Sequence, residues 1–247
     1  MSLNILIIGA TSGIAQAVAQ RYALQQAKLF LVARNAEKLD IVTADLLVRG
    51  AAAVDSFVMD ANNVELLPAM LDNAWKAFGA MDIALIAHGT LPDQKRTETD
   101  MLYTIGEFRN NAESVIVCLA AIAQRFELQG KGVIAVISSV AGDRGRASNY
   151  LYGAAKAAIN AYTSGLRMRL FKKGVHVLTT KPGFVATAMT ANLDLPVKLT
   201  ATAETVAKDI CKAIGRRSNV LYTPSFWKMI MLLVRVLPTP IFKRLHF

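Results

Sequence analysis

Cysteine and histidine are scarce in this chain, and its last 38 residues contain no acidic side chain. The only cysteines among 247 residues, Cys118 and Cys211, lie in apolar helical stretches and form no CxxC or metal-ligand spacing. This pattern favours buried free thiols in a reducing compartment over a disulfide scaffold. His88, His176 and His246 are scattered, so they do not make a metal site, and His88 reads as a packing or cofactor-edge residue. The N-terminus, MSLNILIIGA, lacks the basic segment of a secretion signal and runs straight into a glycine turn. It reads as the first strand of an intracellular, cytoplasmic protein. No stretch resembles a linker, an internal repeat or a low-complexity segment, which points to one domain.

Hydrophobic residues make up 53% of the chain and charged ones 19%, enough for a large core and too little charge for disorder. Apolar strand-like runs (LNILII, KLFLVA, AAVDSFV, MDIALIA, GVIAVIS, VHVLTT and a short VLY near residue 221) alternate with helical periodicity. Helices are expected over AQAVAQRYALQQ, AEKLDIVTADLLVRG, VELLPAMLDNAWKAFG, residues 104–128 and residues 147–172. Alternating β and α segments with near-continuous apolar strands predict a single-domain α/β fold, a Rossmann-like, doubly wound parallel sheet of about seven strands. The expected division is a catalytic domain over 1–224 and an apolar, basic C-terminal segment over 225–247.

The first strand ends at Gly9-Ala10-Thr11-Ser12-Gly13-Ile14-Ala15, with a helix immediately after. Glycines at such a turn let backbone amides approach a pyrophosphate at the positive end of a helix, although an ordinary strand-to-helix turn also uses glycine. Ala15 replaces the third glycine of the usual fingerprint and still permits close packing. After the second strand, Ala33 and Arg34 stand where a carboxylate would hold a ribose 2′-hydroxyl. An arginine there suits a 2′-phosphate, so NADP(H) is expected over NAD(H), unless Arg34 is a solvated surface residue.

Tyr152 and Lys156 stand four apart on an expected helix, and Ser139 lies thirteen residues before the tyrosine. Residues i and i+4 share a helix face, so an ammonium beside the phenol is expected to lower the tyrosine pKa toward neutrality and suit it to acid/base chemistry on a carbonyl oxygen. Taken alone, a YxxxK spacing is usually a surface pair.

These residues together resemble the short-chain dehydrogenase/reductase superfamily over nearly the whole chain. The matching positions are the GATSGIA loop, Asp60, Ala87-His88-Gly89, Asn111, Ser139, Tyr152, Lys156, and Pro182-Gly183 with Thr187. The resemblance implies Tyr152 as acid/base, Lys156 also on the nicotinamide ribose, Ser139 positioning the carbonyl and Asn111 in a proton relay. It further implies cofactor contacts from Gly9, Thr11, Ser12, Gly13, Ile14, Asp60, Gly89, Pro182, Gly183 and Thr187. One departure is Ala87-His88-Gly89, where the family usually has Asn-Ala-Gly. The family also implies a homodimer or homotetramer pairing through the long helices.

Two basic features bear on the substrate. Arg144 and Arg146 stand between Ser139 and Tyr152, where they suit a phosphate or carboxylate, or else form solvated or intersubunit charges. The tail SFWKMIMLLVRVLPTPIFKRLHF contributes to a C-terminal excess of seven Lys/Arg after Ile210, out of a net charge of +10. Its longest uncharged stretch before Arg235, MIMLLV, is far short of the roughly 20 residues of a membrane span. Such a helix can lie peripherally at the inner face of an anionic membrane, cover the substrate pocket or form a subunit contact. AxGxL after the fourth strand, SSxAGDRxR and the tail ending IFKRL look most similar to the decaprenylphosphoryl 2-keto-ribose reductases. That resemblance implies a polyprenylphosphoryl 2-keto-pentose as substrate; another hydrophobic ketone is the alternative. A non-catalytic NADP-binding regulator would have little need for Asn111, Ser139, Tyr152 and Lys156 together. A nucleic-acid binder is disfavoured because the basic residues are interleaved with Leu, Met and Val and not with an aromatic stacking face.

Overall fold

The computed structural model describes residues 2–245. Seven parallel strands, β1 (Asn4–Ile8), β2 (Lys28–Ala33), β3 (Ala53–Val58), β4 (Ile83–Ile86), β5 (Gly132–Ile137), β6 (Val175–Pro182) and β9 (Val220–Thr223), form one sheet in the order β3-β2-β1-β4-β5-β6-β9. A two-stranded parallel pair, β7 (Phe184–Ala186) and β8 (Thr200–Thr202), stands apart from it. The strand order reverses between β1 and β4, which opens a crevice at the carboxyl ends of the strands.

The period-2 alternation of β1 distributes its side chains between two cores. Ile5 and Ile7 join the layer containing Val18 and Tyr22 of α1 (Gly13–Ala23), Leu39 and Leu46 of α2 (Ala36–Val48), and Val206 and Ile210 of α8 (Ala203–Gly215). Leu6 and Ile8 join the opposite layer, with Met70 of α3 (Leu67–Phe78), Ile122 and Phe126 of α6 (Ser114–Gln129), and Ile159 and Leu166 of α7 (Tyr150–Phe171). A sheet covered on both faces explains strands that read as apolar runs and not as alternating ones.

Several expectations are refined. The helix expected from residue 104 begins at α5 (Met101–Phe108), after a short α4 (Gln94–Thr97), and a π-helical turn at Arg109–Glu113 joins α5 to α6. The helix expected from residue 147 starts at Tyr150, because Asn149 takes a non-helical φ of −162°. The β7–β8 pair was not anticipated, whereas α8 takes in the helical stretch expected around Cys211. Within the segment expected at 225–247, α9 (Phe226–Val236) and α10 (Thr239–Phe242) pack onto the body, with Trp227 and Met231 buried against Val140 in a third apolar cluster. His246 and Phe247 lie outside the described residues.

Candidate active site

A cavity of about 510 Å³ runs along the carboxyl ends of the strands, from Gly9 and Arg34 past Asp60 to Ser139, Tyr152 and Trp227. Its floor depends on glycine at Gly9, whose φ of 81° lies in the left-handed region and whose α-carbon abuts the Ala87–His88 backbone, so that a side chain would collide there. Ser12 caps α1, accepting from the Ala15 N–H at 3.4 Å, and Gly13 and Ile14 at the start of that helix line the cavity. Across the cleft, a methyl on Gly13 would come within 3.3 Å of Thr187 Cγ2, so the glycine turn and the Thr187 loop bracket a narrow slot. A glycine-lined cradle at a helix N-terminus fits a pyrophosphate. Thr11, Ile14, Pro182, Gly183 and Thr187 all line it.

The β2 end presents Arg34 exposed at the cavity edge, and Asn35 caps α2 by accepting from the Lys38 N–H at 2.8 Å. Asp60 is fixed by an Asx turn, accepting from the Asn62 N–H at 2.8 Å and from Asn62 Nδ2 at 3.1 Å. Among the described residues it is the only carboxylate in the cavity lining.

Asn111, Gly89 and Lys156 converge. The π turn swings Asn111 inward to 1% exposure, where Oδ1 accepts from the Thr90 N–H at 2.9 Å and Nδ2 donates to the Glu107 carbonyl at 3.0 Å. A side chain on Gly89 would lie 2.9 Å from Asn111 Oδ1 and 3.5 Å from Lys156 Nζ. Lys156 is buried, donates to the Ile137 carbonyl at 3.4 Å and sits 5.4 Å from the centre of the Tyr152 ring. Burial pulls its ammonium down to about 8.

Tyr152 hydrogen-bonds Ser139. Ser139 Oγ also accepts from the Ala141 N–H at 3.1 Å, which starts the turn over Val140–Asp143. The neighbouring Ser138 has a different task, donating to Asn160 Oδ1 at 2.7 Å and tying β5 to α7. The expected lowering of the tyrosine pKa does not occur in this structure. Burial dominates and pushes the phenol up to about 12, with only the Ser139 hydrogen bond opposing.

His88 is buried and its imidazole is held down to about 4 by burial first and then by the Lys156 charge. Ser114 Oγ donates its own proton to the Asn110 carbonyl at 2.9 Å, so at 3.0 Å His88 Nε2–H donates to Ser114. Among the described residues no cluster of His, Cys, Asp and Glu is suited to a metal.

The two loop arginines separate. Arg146 lines the cavity, as expected of a substrate-side group. Arg144 turns away: its Nη1 donates to the Val234 and Leu237 carbonyls, both at 2.6 Å, and its guanidinium lies 3.7 Å from the Phe242 ring centre. The cause is the carboxyl end of α9, whose free carbonyls attract a cation. The placement of Arg144 at a substrate is therefore corrected to an anchor for the tail. Sequence reasoning also missed Thr90 and Glu107, which orient Asn111, and Asn149 and Trp227 in the cavity wall. A tail covering the pocket was among the expectations, but no signal singled out Trp227 within it.

A nucleotide cradle joined to a half-buried Ser139-Tyr152 pair and a buried Lys156 is the apparatus of an NAD(P)-dependent oxidoreductase. The family profile described as short chain dehydrogenase matches residues 3–197. An uncharacterised oxidoreductase of Mycobacterium tuberculosis (strain ATCC 25618 / H37Rv) is 32% identical over 98% of this chain and 96% of its own length. An uncharacterised oxidoreductase of Streptomyces coelicolor is 33% identical over 98% and 95%. Among solved structures, levodione reductase superposes with a TM-score of 0.81 at 22% identity, over 90% of this chain and 97% of that one. An actinorhodin polyketide ketoreductase variant with NADPH superposes with a TM-score of 0.81 at 20% identity, over the same shares. This chain belongs to the short chain dehydrogenase family.

Proposed function

We propose that the protein reduces a carbonyl group with NADPH, with Tyr152 as proton donor. The observation that carries this reading is the convergence of Asn111, Ser139, Tyr152 and Lys156 on one wall of a cavity continuous with the glycine turn. When bound, the nicotinamide supplies the hydride equivalent. Ser139 Oγ positions the carbonyl oxygen, and Tyr152, kept protonated by burial, gives that oxygen its proton. Lys156 holds the ribose and sits beneath the phenol, where its charge stabilises the phenolate left behind. Asn111, fixed by Thr90 and Glu107, carries the relay that restores the proton. Gly9, Thr11, Ser12, Gly13 and Ile14 hold the pyrophosphate, Asp60 the adenine, Arg34 the 2′-phosphate, and Gly89, Pro182, Gly183 and Thr187 the nicotinamide side.

The finer substrate proposal is a polyprenylphosphoryl 2-keto-pentose, supported by the SSxAGDRxR segment, Arg146 at the cavity and the apolar basic tail. No helix among the described residues is long and apolar enough to cross a membrane. The outer face of α9 nevertheless exposes Met229, Leu232, Leu233 and Val236 near Lys228, Lys243 and Arg244, which suits peripheral contact with an anionic lipid surface from the cytoplasmic side. Arg235 is engaged with Tyr222 and contributes less to that stripe. Association into a homodimer or homotetramer is proposed through α5, whose Met101, Leu102 and Ile105 stand exposed.

NADPH oxidation with a short-chain prenylphosphoryl 2-keto-pentose, run beside simple ketones and with NADH and Tyr152→Phe as controls, tests the reading. Turnover lost in Tyr152→Phe with NADPH affinity retained is expected. Wild-type rates in that variant would remove the assignment.

A further inference from the structure

Four buried polar atoms of residues lining the cavity have no hydrogen-bond partner among the described residues: His88 Nδ1, Arg146 Nε, Asn149 Oδ1 and Trp227 Nε1. Folded proteins pair nearly all such atoms, and leaving one unpaired costs about 1–3 kcal/mol. An unpaired set in the wall of one cavity therefore describes a ligand. His88 belongs to the floor beside Gly9, at the cofactor end. The other three line the same cavity as Ser139 and Tyr152.

Arg146 and Asn149 lie on the segment joining the Ser139 turn to α7, and that segment is held close to Tyr152. A side chain on Gly153, the residue after the tyrosine, would meet the Ala141 carbonyl at 3.0 Å and the Gly145 α-carbon at 4.0 Å. Trp227 arrives from the opposite direction, on α9. It is 4% exposed, packs edge-on against Phe184 at 5.4 Å and shares an apolar cluster with Val140, the residue after Ser139. Its indole covers the α-carbon of Gly183 so closely that any side chain there would overlap the ring. Gly183 is thus the position that lets the tail helix deliver an N–H into the cavity wall.

We propose that Arg146 and Trp227 form an oxyanion subsite beside Tyr152, with Asn149 accepting a neighbouring hydroxyl, so that the enzyme selects carbonyl substrates bearing a carboxylate or phosphate. The proposal rests on the reading of Tyr152 as the acid of a carbonyl reductase and adds the substrate class. Indole Nε1 and guanidinium Nε donate and cannot accept, so their complement is an acceptor oxygen and not an amine or an alkyl group. The charge follows from what surrounds Arg146. It forms no ion pair among the described residues, and the one carboxylate of the lining, Asp60, stands after β3 at the other end of the cleft. A partly buried guanidinium without a counter-charge is stabilised by an anionic ligand through charge-assisted hydrogen bonds. Burial also lowers the Arg146 pKa, in keeping with a cation that lacks a partner. Arg144 cannot substitute, since the α9 carbonyls and Phe242 occupy it.

The test has a binding arm and a turnover arm. The chain has two tryptophans, so Trp75→Phe leaves Trp227 as the sole indole reporter in the full-length protein. In that variant saturated with NADP+, titration with short keto acids and with a ketose phosphate is expected to give a saturable change in indole fluorescence. The matching methyl esters and the free ketose should give none, and Arg146→Gln should abolish the response. In the turnover arm, the anionic member of each pair is expected to have at least a tenfold higher kcat/KM. Arg146→Gln and Trp227→Phe should each remove most of that advantage by raising KM for the anionic member, so that the charged-to-neutral ratio of kcat/KM falls toward one. Preference for the acids locates a carboxylate, and preference for the ketose phosphate locates a phosphate; either supports the subsite. Equal response to charged and neutral members overturns it while leaving the reductase reading intact, as does a Trp227→Phe effect confined to NADPH affinity. Charge-selective binding without turnover of any carbonyl would instead uphold the subsite and remove the reductase reading.

Discussion

Asp143 Oδ2 accepts a hydrogen bond from the Tyr222 hydroxyl at 2.7 Å, linking the turn that follows Ser139 to the edge strand β9. The other carboxylate oxygen takes Lys181 Nζ at 2.5 Å, and the Asp143 side chain is only 3% exposed against 12% for Lys181. Removing one member of a buried pair strands the other charge, at a cost of about 3–5 kcal/mol. Asp143→Asn should therefore lower the unfolding free energy by roughly 3 kcal/mol in denaturant titration. Because the same carboxylate steadies the Ser139 turn, kcat should fall with it. A double variant, Asp143→Leu with Lys181→Met, should recover most of the stability.

The β2 end makes cofactor choice testable. Arg34 is exposed, lies at the cavity edge and forms no ion pair among the described residues, so it is available to a 2′-phosphate. A charge-assisted hydrogen bond contributes about 1.5–3 kcal/mol, or roughly 10- to 150-fold in affinity. Arg34→Asp should weaken NADPH binding by that order and improve NADH binding, since a carboxylate accepts from a ribose hydroxyl and repels a phosphate. Fluorescence titration with both cofactors measures this directly, and an unchanged ratio of the two affinities would return Arg34 to the solvated surface.

Burial of His88 has a signature in acid. Its folded pKa of about 4 lies below the ordinary 6.5, so between those values the unfolded chain binds a proton that the folded chain refuses. Stability is therefore intact above pH 6.5 and falls as the pH drops toward 4, by up to roughly 3 kcal/mol from this group alone. His88→Gln, which keeps a donor for Ser114, should flatten that slope in denaturation curves taken at pH 7 and pH 5.

Much of this was legible in the sequence because it depends on local rules. Apolar runs of strand length, glycine at the first turn and the Tyr152–Lys156 spacing follow from backbone geometry and helix periodicity, and the strands and cavity lining fall where those rules put them. What was not legible depends on contacts between distant segments. The π turn that buries Asn111 has no composition signal, because Thr90 and Glu107 stabilise it from outside the turn or across it. The direction of the Tyr152 pKa was misjudged because a four-residue spacing reports proximity to Lys156 but not the depth of burial. Arg144 and Arg146, two residues apart, looked equivalent until α9 was placed beside one of them.

Arg144 also makes the tail a structural dependent of the catalytic segment. Its guanidinium caps the carboxyl end of α9 with two 2.6 Å hydrogen bonds and stacks on Phe242, while Trp227 and Met231 on the inner face of the same helix pack against Val140. The hydrogen bonds to a charged donor and the cation–π contact together are worth about 2–4 kcal/mol locally. The outer face of α9 is largely exposed, so little else holds its last turn in place. Arg144→Ala should accordingly free the segment beyond Val234 without unfolding the sheet. Trypsin would then cut at Arg235, Lys243 or Arg244 under native conditions many-fold faster than in the wild type, followed by mass spectrometry of the intact chain. If the subsite includes Trp227, KM for the carbonyl substrate should rise in parallel while NADPH affinity holds. Protection equal to wild type would mean that the apolar contacts of Trp227 and Met231 suffice to hold the tail.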